Sequence, residues 1–278
     1  MRNAAISLLI VWGIAFCGIA GGAGFVPSDI SGLQVWFDAA DLSGLGAGGN
    51  PATGTAVGTW ADLSASDLDA TQTNAARQPI YRSTVAALGY MPAVDFNGSS
   101  QGLGTAAFSS GNVRTAFVVT IPKAAPQTTR YPWIVAQVDS SYGANDAWGI
   151  RATTVPTSPE VFDNFQASWR HSTGHGTSTD DSNFTANTPY VLSYVSDTIG
   201  NTGTLFVNGN AQSAGAAVHQ SVNKGLGIGA GSDSAGQWYN GHIAEIIMYD
   251  TALSAADRVQ VEAYLTQKYM TVPLYYDT

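Results

Sequence analysis

The sequence predicts an all-β protein, a jelly-roll sandwich of two antiparallel sheets with one C-terminal helix. Short apolar, β-branched and aromatic runs recur along the chain. Clusters of Gly, Asn, Asp, Ser and Pro separate them, and no regular alternation with helices calls for a parallel sheet. The acids are 17 Asp against only Glu160, Glu245 and Glu262. Asp favours turns where Glu favours helices, so the bias points to a loop-rich, helix-poor chain. Finally, Asn208-Gly209 is the dipeptide of a type I′ turn, whose two central residues need positive φ.

Taken in order, residues 4–20 are apolar and uncharged behind Arg2, and Gly18, Ala20, Gly21, Gly22 and Ala23 supply the small side chains a signal peptidase requires. A signal peptide over 1–23 and a linker over 24–32 are expected. An uncleaved membrane anchor competes, since 4–26 is long enough to span a bilayer, but the glycine cluster at 21–24 weakens such a helix. The single cysteine, Cys17, follows Phe16, which is too bulky for a lipoprotein signal. The mature chain would therefore be exported without disulfides and would rest on its core.

Strands are expected over Leu33–Asp38 and residues 93–96, 114–121, 133–138, 190–196, 204–207, 225–229 and 242–249. The Asn208-Gly209 turn pairs 204–207 with 210–214. Ser254 is a good N-cap with Asp257 at N3, and Val261, Tyr264, Leu265 and Tyr269 form the apolar stripe of a core helix over 255–269. That helix is expected to lie over one end of the sheets, followed by a surface tail.

The residues of several blocks resemble bacterial laminin-G-like domains of the concanavalin A-like lectin/glucanase superfamily. Leu33-Gln34-Val35-Trp36-Phe37-Asp38-Ala39-Ala40-Asp41 looks like their opening strand. Trp60-Ala61-Asp62-Leu63-Ser64 and Pro92-Ala93-Val94-Asp95-Phe96-Asn97-Gly98 are similar to the second and third signatures. Gly227-Ile228-Gly229, residues 239–249, Ala252-Leu253-Ser254, Tyr264-Leu265 and Lys268-Tyr269 follow in the family's order. The resemblance covers 33–270 and leaves 271–278 as the tail. It implies a two-sheet jelly roll that binds carbohydrate or protein outside the cell, and it does not imply catalysis. Glu245, alone in an apolar strand, resembles the family's structural acid, with backbone amides as its expected partners.

Charge narrows the partners. The chain carries 20 acids against 11 Lys and Arg, a net charge of −9, and its only lysines are Lys123, Lys224 and Lys268. A duplex binder needs a basic stripe, so nucleic acid is excluded as a partner. A glycosidase would need two acids about 5–5.5 Å apart for retention, two or four residues apart on one strand. The Asp38/Asp41 and Asp67/Asp69 pairs sit instead at strand ends or in loops. Gly98-Ser99-Ser100-Gln101-Gly102 matches a nucleophile elbow in letters only, because more β sequence follows it. His171 and His175 are placed in a loop, and a zinc site there would need Asp180 or Asp181 as a third ligand.

Calcium is the better metal reading, because hard cations take clustered oxygens. The loops 139–146 and 180–183 offer Asp139, Asp146, Asp180 and Asp181 as ligands. For a ligand rim, Tyr142, His171, Trp238 and Tyr239 lie in or beside polar loops, where aromatic faces can stack on sugar rings. The expectation is a secreted or surface-displayed, non-catalytic module in adhesion or glycan recognition, with an extracellular glycan or surface protein as partner. A glycan-active hydrolase or lyase on the same fold and a structural surface component are the alternatives. If calcium ties the loops, millimolar calcium raises the melting temperature and chelation lowers it. Free calcium 100-fold over its Kd stabilises by about 2.7 kcal/mol, and identical melting curves remove the metal.

Overall fold

The computed structural model describes residues 24–123, 131–138, 147–155, 161–171, 174–180, 184–197, 202–216, 221–231 and 237–271. The expected signal peptide at 1–23, the loop 139–146, residues 181–183 and the tail beyond Thr271 lie outside them.

Two antiparallel sheets face each other. The nine-stranded sheet runs Asn210–Ala211, Thr202–Val207, Tyr190–Asp197, Arg114–Pro122, Asn240–Tyr249, Ala93–Asn97 and Ile80–Arg82. Leu33–Asp38 also joins Asn240–Tyr249, and Gly215–Ala216 joins Thr202–Val207. The eight-stranded sheet runs Gly174–Thr179, Val161–His171, Ala147–Val155, Trp133–Gln137, Gly227–Ile228, Leu103–Gly104, Ala70–Thr71 and Thr59–Trp60. The all-β sandwich expected from the sequence is the observed fold.

Asn240–Tyr249 organises the larger sheet. One of its edges pairs with Arg114–Pro122 along its length. The other edge meets Ala93–Asn97 through residues 240–243 and Leu33–Asp38 through residues 245–249. The register shifts between Ile243 and Glu245, leaving Ala244 as a bulge. A bulge re-aims the side chains beyond it, here placing Glu245 directly opposite Asp38.

Between the sheets, Tyr194 stacks on both Trp148 (6.0 Å) and Trp169 (5.6 Å), which pair across neighbouring strands of the opposite sheet. Small residues make room for Trp169. A Cβ at Gly176 would lie 2.1 Å from its Nε1, and one at Gly203 would lie 2.5 Å from Cη2.

The helix Ala255–Tyr269 begins at Ser254, whose Oγ accepts from Asp257 N–H, as the sequence predicts. It does not seal an end of the sandwich. Val261, Leu265 and Tyr269 pack on the outer face of the nine-stranded sheet, against Phe117, Val119, Ile247 and Tyr249. Apolar side chains on both faces of those strands demand a second cover, and all nine residues of Arg114–Pro122 are buried.

The type I′ turn forms as expected, with φ of 50° at Asn208 and 79° at Gly209. The sequence reading overlooked the meander of Ala147–Val155, Val161–His171 and Gly174–Thr179. His171 and His175 are therefore not in a loop. They sit on the two arms of a hairpin, His171 opposite Gly174 and His175 opposite Arg170.

Gly203→Val forces Trp169 out of its slot. Overpacking of this kind costs about 1–3 kcal/mol, read as a lower denaturation midpoint, whereas an unchanged midpoint would show the slot to be slack.

Candidate functional site

Among the described residues no helix covers the outer face of the eight-stranded sheet, and that face carries a transverse row of side chains. Trp133, Arg151, Gln166 and Thr179 occupy matched register positions on four consecutive strands. Their neighbours Ile150, Ala152, Phe165 and Ala167 point into the core, so the row points outward. Arg151 donates from Nε to Gln166 Oε1 at 2.9 Å, and Gln166 Nε2 donates to Thr179 Oγ1 at 2.9 Å. The guanidinium lies 4.4 Å from the ring centre of Tyr131 and 5.0 Å from that of Trp133, a cation–π arrangement. Trp133 is buried, while Asn164, Gln166, Thr177 and Thr179 are half-exposed. The arrangement can offer amide and hydroxyl groups to a polar ligand, backed by a charged and aromatic floor.

Of the residues singled out in the sequence, Trp238 lies beside this row. It bridges Trp133 in register and is half-buried, and its buried indole N–H has no partner among the described residues. Next to it, Gln237 adopts a positive φ of 53° and accepts the Trp133 indole N–H through Oε1. Tyr239 does not reach a rim. Strand alternation turns it inward, where it is fully buried and its hydroxyl bonds Thr120 Oγ1 at 2.8 Å. His171 closes the hairpin arm already described. Tyr142 falls outside the described residues.

The expected metal ligands Asp139, Asp146 and Asp181 fall outside them too. Asp180 is not on an open loop: it is buried at the end of Gly174–Thr179, with its N–H donated to Phe165 O at 2.9 Å. Among the described residues, no group of three or more His, Cys, Asp or Glu could hold a metal ion.

Sequence reasoning missed the row, although the alternation Trp148-Gly149-Ile150-Arg151-Ala152 carries a period-two signal. Gly149 and the two threonines at 153–154 masked it.

Two carboxylates do meet elsewhere. Asp38 and Glu245 are both engaged by Lys268 Nζ, at 2.6 and 2.7 Å. Glu245 also accepts from Trp36 Nε1 (2.8 Å), Tyr264 OH (3.0 Å) and Tyr269 OH (2.8 Å). The backbone-amide partners expected for Glu245 are thus replaced by side chains of the first strand and the helix. Burial pushes the Glu245 carboxyl up, and the nearby Lys268 opposes that shift. This pair lies beneath the helix, on the sheet remote from the Arg151 row.

Another buried carboxylate, Asp95, accepts from Arg82 Nη2 at 2.9 Å and from Lys123, and His242 Nδ1 lies 3.8 Å away. Burial lowers the His242 pKa from an ordinary 6.5 to about 4. Asp95 works against that shift, and Lys123 and Arg82 add to it.

No family model matches the sequence, and neither does any curated protein. Solved structures of similar fold do exist. One is domain 4 of AbnA, a GH43 extracellular arabinanase from Geobacillus stearothermophilus, in complex with arabinotriose. It is 17% identical over 83% of this chain and 98% of that one, with a TM-score of 0.54. The Trypanosoma rangeli sialidase in complex with the inhibitor DANA is 12% identical over 86% of this chain, with a TM-score of 0.54. This chain spans only 34% of the sialidase. The binding domain of Paraclostridial Mosquitocidal Protein 1 is 13% identical over 87% of this chain and 53% of that one, with a TM-score of 0.53. At these identities the likeness establishes the β-sandwich fold.

The Asp95 cluster sets a pH dependence. An unfolded His242 takes a proton near pH 6.5 and the folded one only near pH 4, so between these values the unfolded state binds more protons and stability falls with acidification. The loss reaches about 3 kcal/mol by pH 4. In His242→Gln, stability measured by urea titration should be flatter across that window than in the wild type. Parallel curves would remove His242 as the cause.

Proposed function

We propose that this protein is a secreted or surface-displayed carbohydrate-binding module that holds its ligand without transforming it, in adhesion or glycan recognition. The observation that carries the reading is the outward row Trp133–Arg151–Gln166–Thr179 with Asn164 and Thr177 around it. Sugar hydroxyls pair with amide and hydroxyl side chains, and Trp238 sets an indole at the edge of the same face. The row contains no carboxylate. The Asp38/Glu245 pair is held by Lys268 beneath the helix, so neither acid stands where a glycosidic bond on this face would need it. The arabinotriose-bound domain 4 of AbnA, which this chain resembles in fold over nearly that domain's full length, favours glycans as the first ligand class to try. The ordered laminin-G-like blocks and the apolar, small-residue pattern of 1–23 support an extracellular setting.

The test pairs a glycan array with a turnover assay on the retained glycans. Retention without new reducing ends or unsaturated products is expected. Gln166→Ala and Asn164→Ala should each weaken retention roughly 3–10-fold, the worth of one net hydrogen bond, in chains that still unfold cooperatively, with the melting temperature lower in Gln166→Ala because buried Arg151 loses an acceptor. Product release would make the chain an enzyme, and unaltered binding in both variants would move the site off this face.

A further inference from the structure

We propose that Lys268 and Asp38 become joined by an intramolecular amide bond, Lys268 Nζ to Asp38 Cγ, with Glu245 as the proton carrier. The three side chains already stand in the arrangement such a condensation needs. Lys268 Nζ donates to Asp38 Oδ2 at 2.6 Å, an ion-pair contact that holds the nitrogen beside the carboxyl group whose carbon it would attack. The other oxygen, Asp38 Oδ1, accepts the Ala40 N–H at 2.8 Å and the Tyr269 hydroxyl at 3.2 Å. The Ala40 N–H is positioned for the negative charge that grows on Oδ1 during addition, and the single Tyr269 hydroxyl proton, shared with Glu245 Oε2 at 2.8 Å, can turn to it. Glu245 Oε2 lies 2.7 Å from the same nitrogen, within reach of its proton.

The surroundings disfavour water. Glu245 is fully buried, and the side chains of Asp38 and Lys268 are only 10% and 17% exposed. Rings of Tyr264 and Tyr269 lie 5.4 and 5.0 Å from Nζ, and Phe25 packs edge-on against Tyr264. A dry, enclosed site limits the return of water that would hydrolyse the product. Desolvation independently favours neutral forms over the ion pair, and it pushes the Glu245 carboxyl up, toward holding a proton.

The step balances within the cluster. The ammonium passes one proton to Glu245, and the neutral amine adds to Asp38 Cγ. Collapse of the adduct expels Oδ2, which takes the proton from Glu245 and the second one from nitrogen, and leaves as water. One C–N bond forms and one C–O bond breaks; Glu245 ends as it began, and no oxidant or external reagent is required. The product ties the first strand of the sandwich to its last helix, across a separation of 230 residues.

The experiment is the intact mass of the purified full chain, with the N-terminus of the same sample read by fragmentation, followed by proteolytic mapping. A deficit of about 18 Da against the sequence mass is expected, the loss of one water. A branched peptide should join the segments holding Asp38 and Lys268, and trypsin should fail to cut after Lys268. Lys268→Arg keeps the positive charge and should show its full sequence mass, with a lower melting temperature. Folded Glu245→Gln should be largely unlinked, and complete linkage there overturns the assignment of Glu245. A wild-type chain at its full sequence mass, with the two peptides separate, overturns the bond and leaves an ion pair. Because the wild-type mass alone decides this, the result does not hinge on any variant folding.

Discussion

A carboxylate taken wholly out of water must be matched group by group, and Glu245 is such a carboxylate. An ionised acid in an apolar interior costs several kcal/mol unless charge and hydrogen bonds compensate it. Here the compensation comes from four side chains. Trp36 lies on the first strand, and Tyr264, Lys268 and Tyr269 all lie on the C-terminal helix. No helix slid by one residue would present all three of its groups to the same acid. The network therefore fixes the axial position of the helix, which apolar packing of Val261 and Leu265 alone would leave free to slip. It also explains the bulge at Ala244, without which Glu245 would change faces.

The helix makes the two sheets unequal. The nine-stranded sheet is covered on both faces, so its central strand Arg114–Pro122 is buried along its whole length. The eight-stranded sheet has one face on the core, and its outward face is free to be polar in the Arg151–Gln166–Thr179 row. The buried ionic network and the proposed recognition face thereby lie on opposite sides of the molecule. Substitutions on the row face fewer packing constraints than substitutions beneath the helix. Asp95, with Arg82, Lys123 and His242 around it, belongs to the same nine-stranded sheet.

How much of this was legible depended on what each residue type advertises. Asn208-Gly209 declared its turn because backbone φ restricts the choice of residue. Ser254 and Asp257 declared the helix start because orphan N–H groups need acceptors. The blocks at 60–64 and 92–98 each carry an acceptor for backbone N–H groups. Asp62 accepts the backbone N–H groups of Trp36, Ser64 and Leu68, and Asn97 accepts those of Ser99 and Ser100. The meander from 147 to 179 stayed hidden. Its inward residues include two alanines, Ala152 and Ala167, and its outward ones include Gly149 and Ser168, so hydrophobic contrast between the faces is weak. The site on that meander was missed for the same reason. The helix position was misjudged because an apolar stripe shows that a helix is buried, not which surface buries it. Tyr239 was misplaced by counting it with the preceding loop, when strand alternation had already begun.

The two sides of the molecule are nonetheless coupled through the core. Tyr194 belongs to the helix-covered sheet, and Trp148 and Trp169 belong to the sheet that carries the polar row. The two indoles sit directly opposite each other in register, and the phenol ring lies against both. Gly176 and Gly203 allow the neighbouring strands to close on Trp169 with no void. A slab of three stacked rings resists shear between the sheets, because any sliding breaks contact over all three faces. Arg151 stands in the same strand as Trp148, three residues along, and Gln166 stands three residues before Trp169. The outward row is thus held by the strands whose inward residues form the slab. The Glu245 network locks the helix to one sheet, and the slab locks that sheet to the other. The row's side chains consequently keep their spacing, and a ligand of the proposed kind would meet a surface whose ordering entropy was spent when the chain folded.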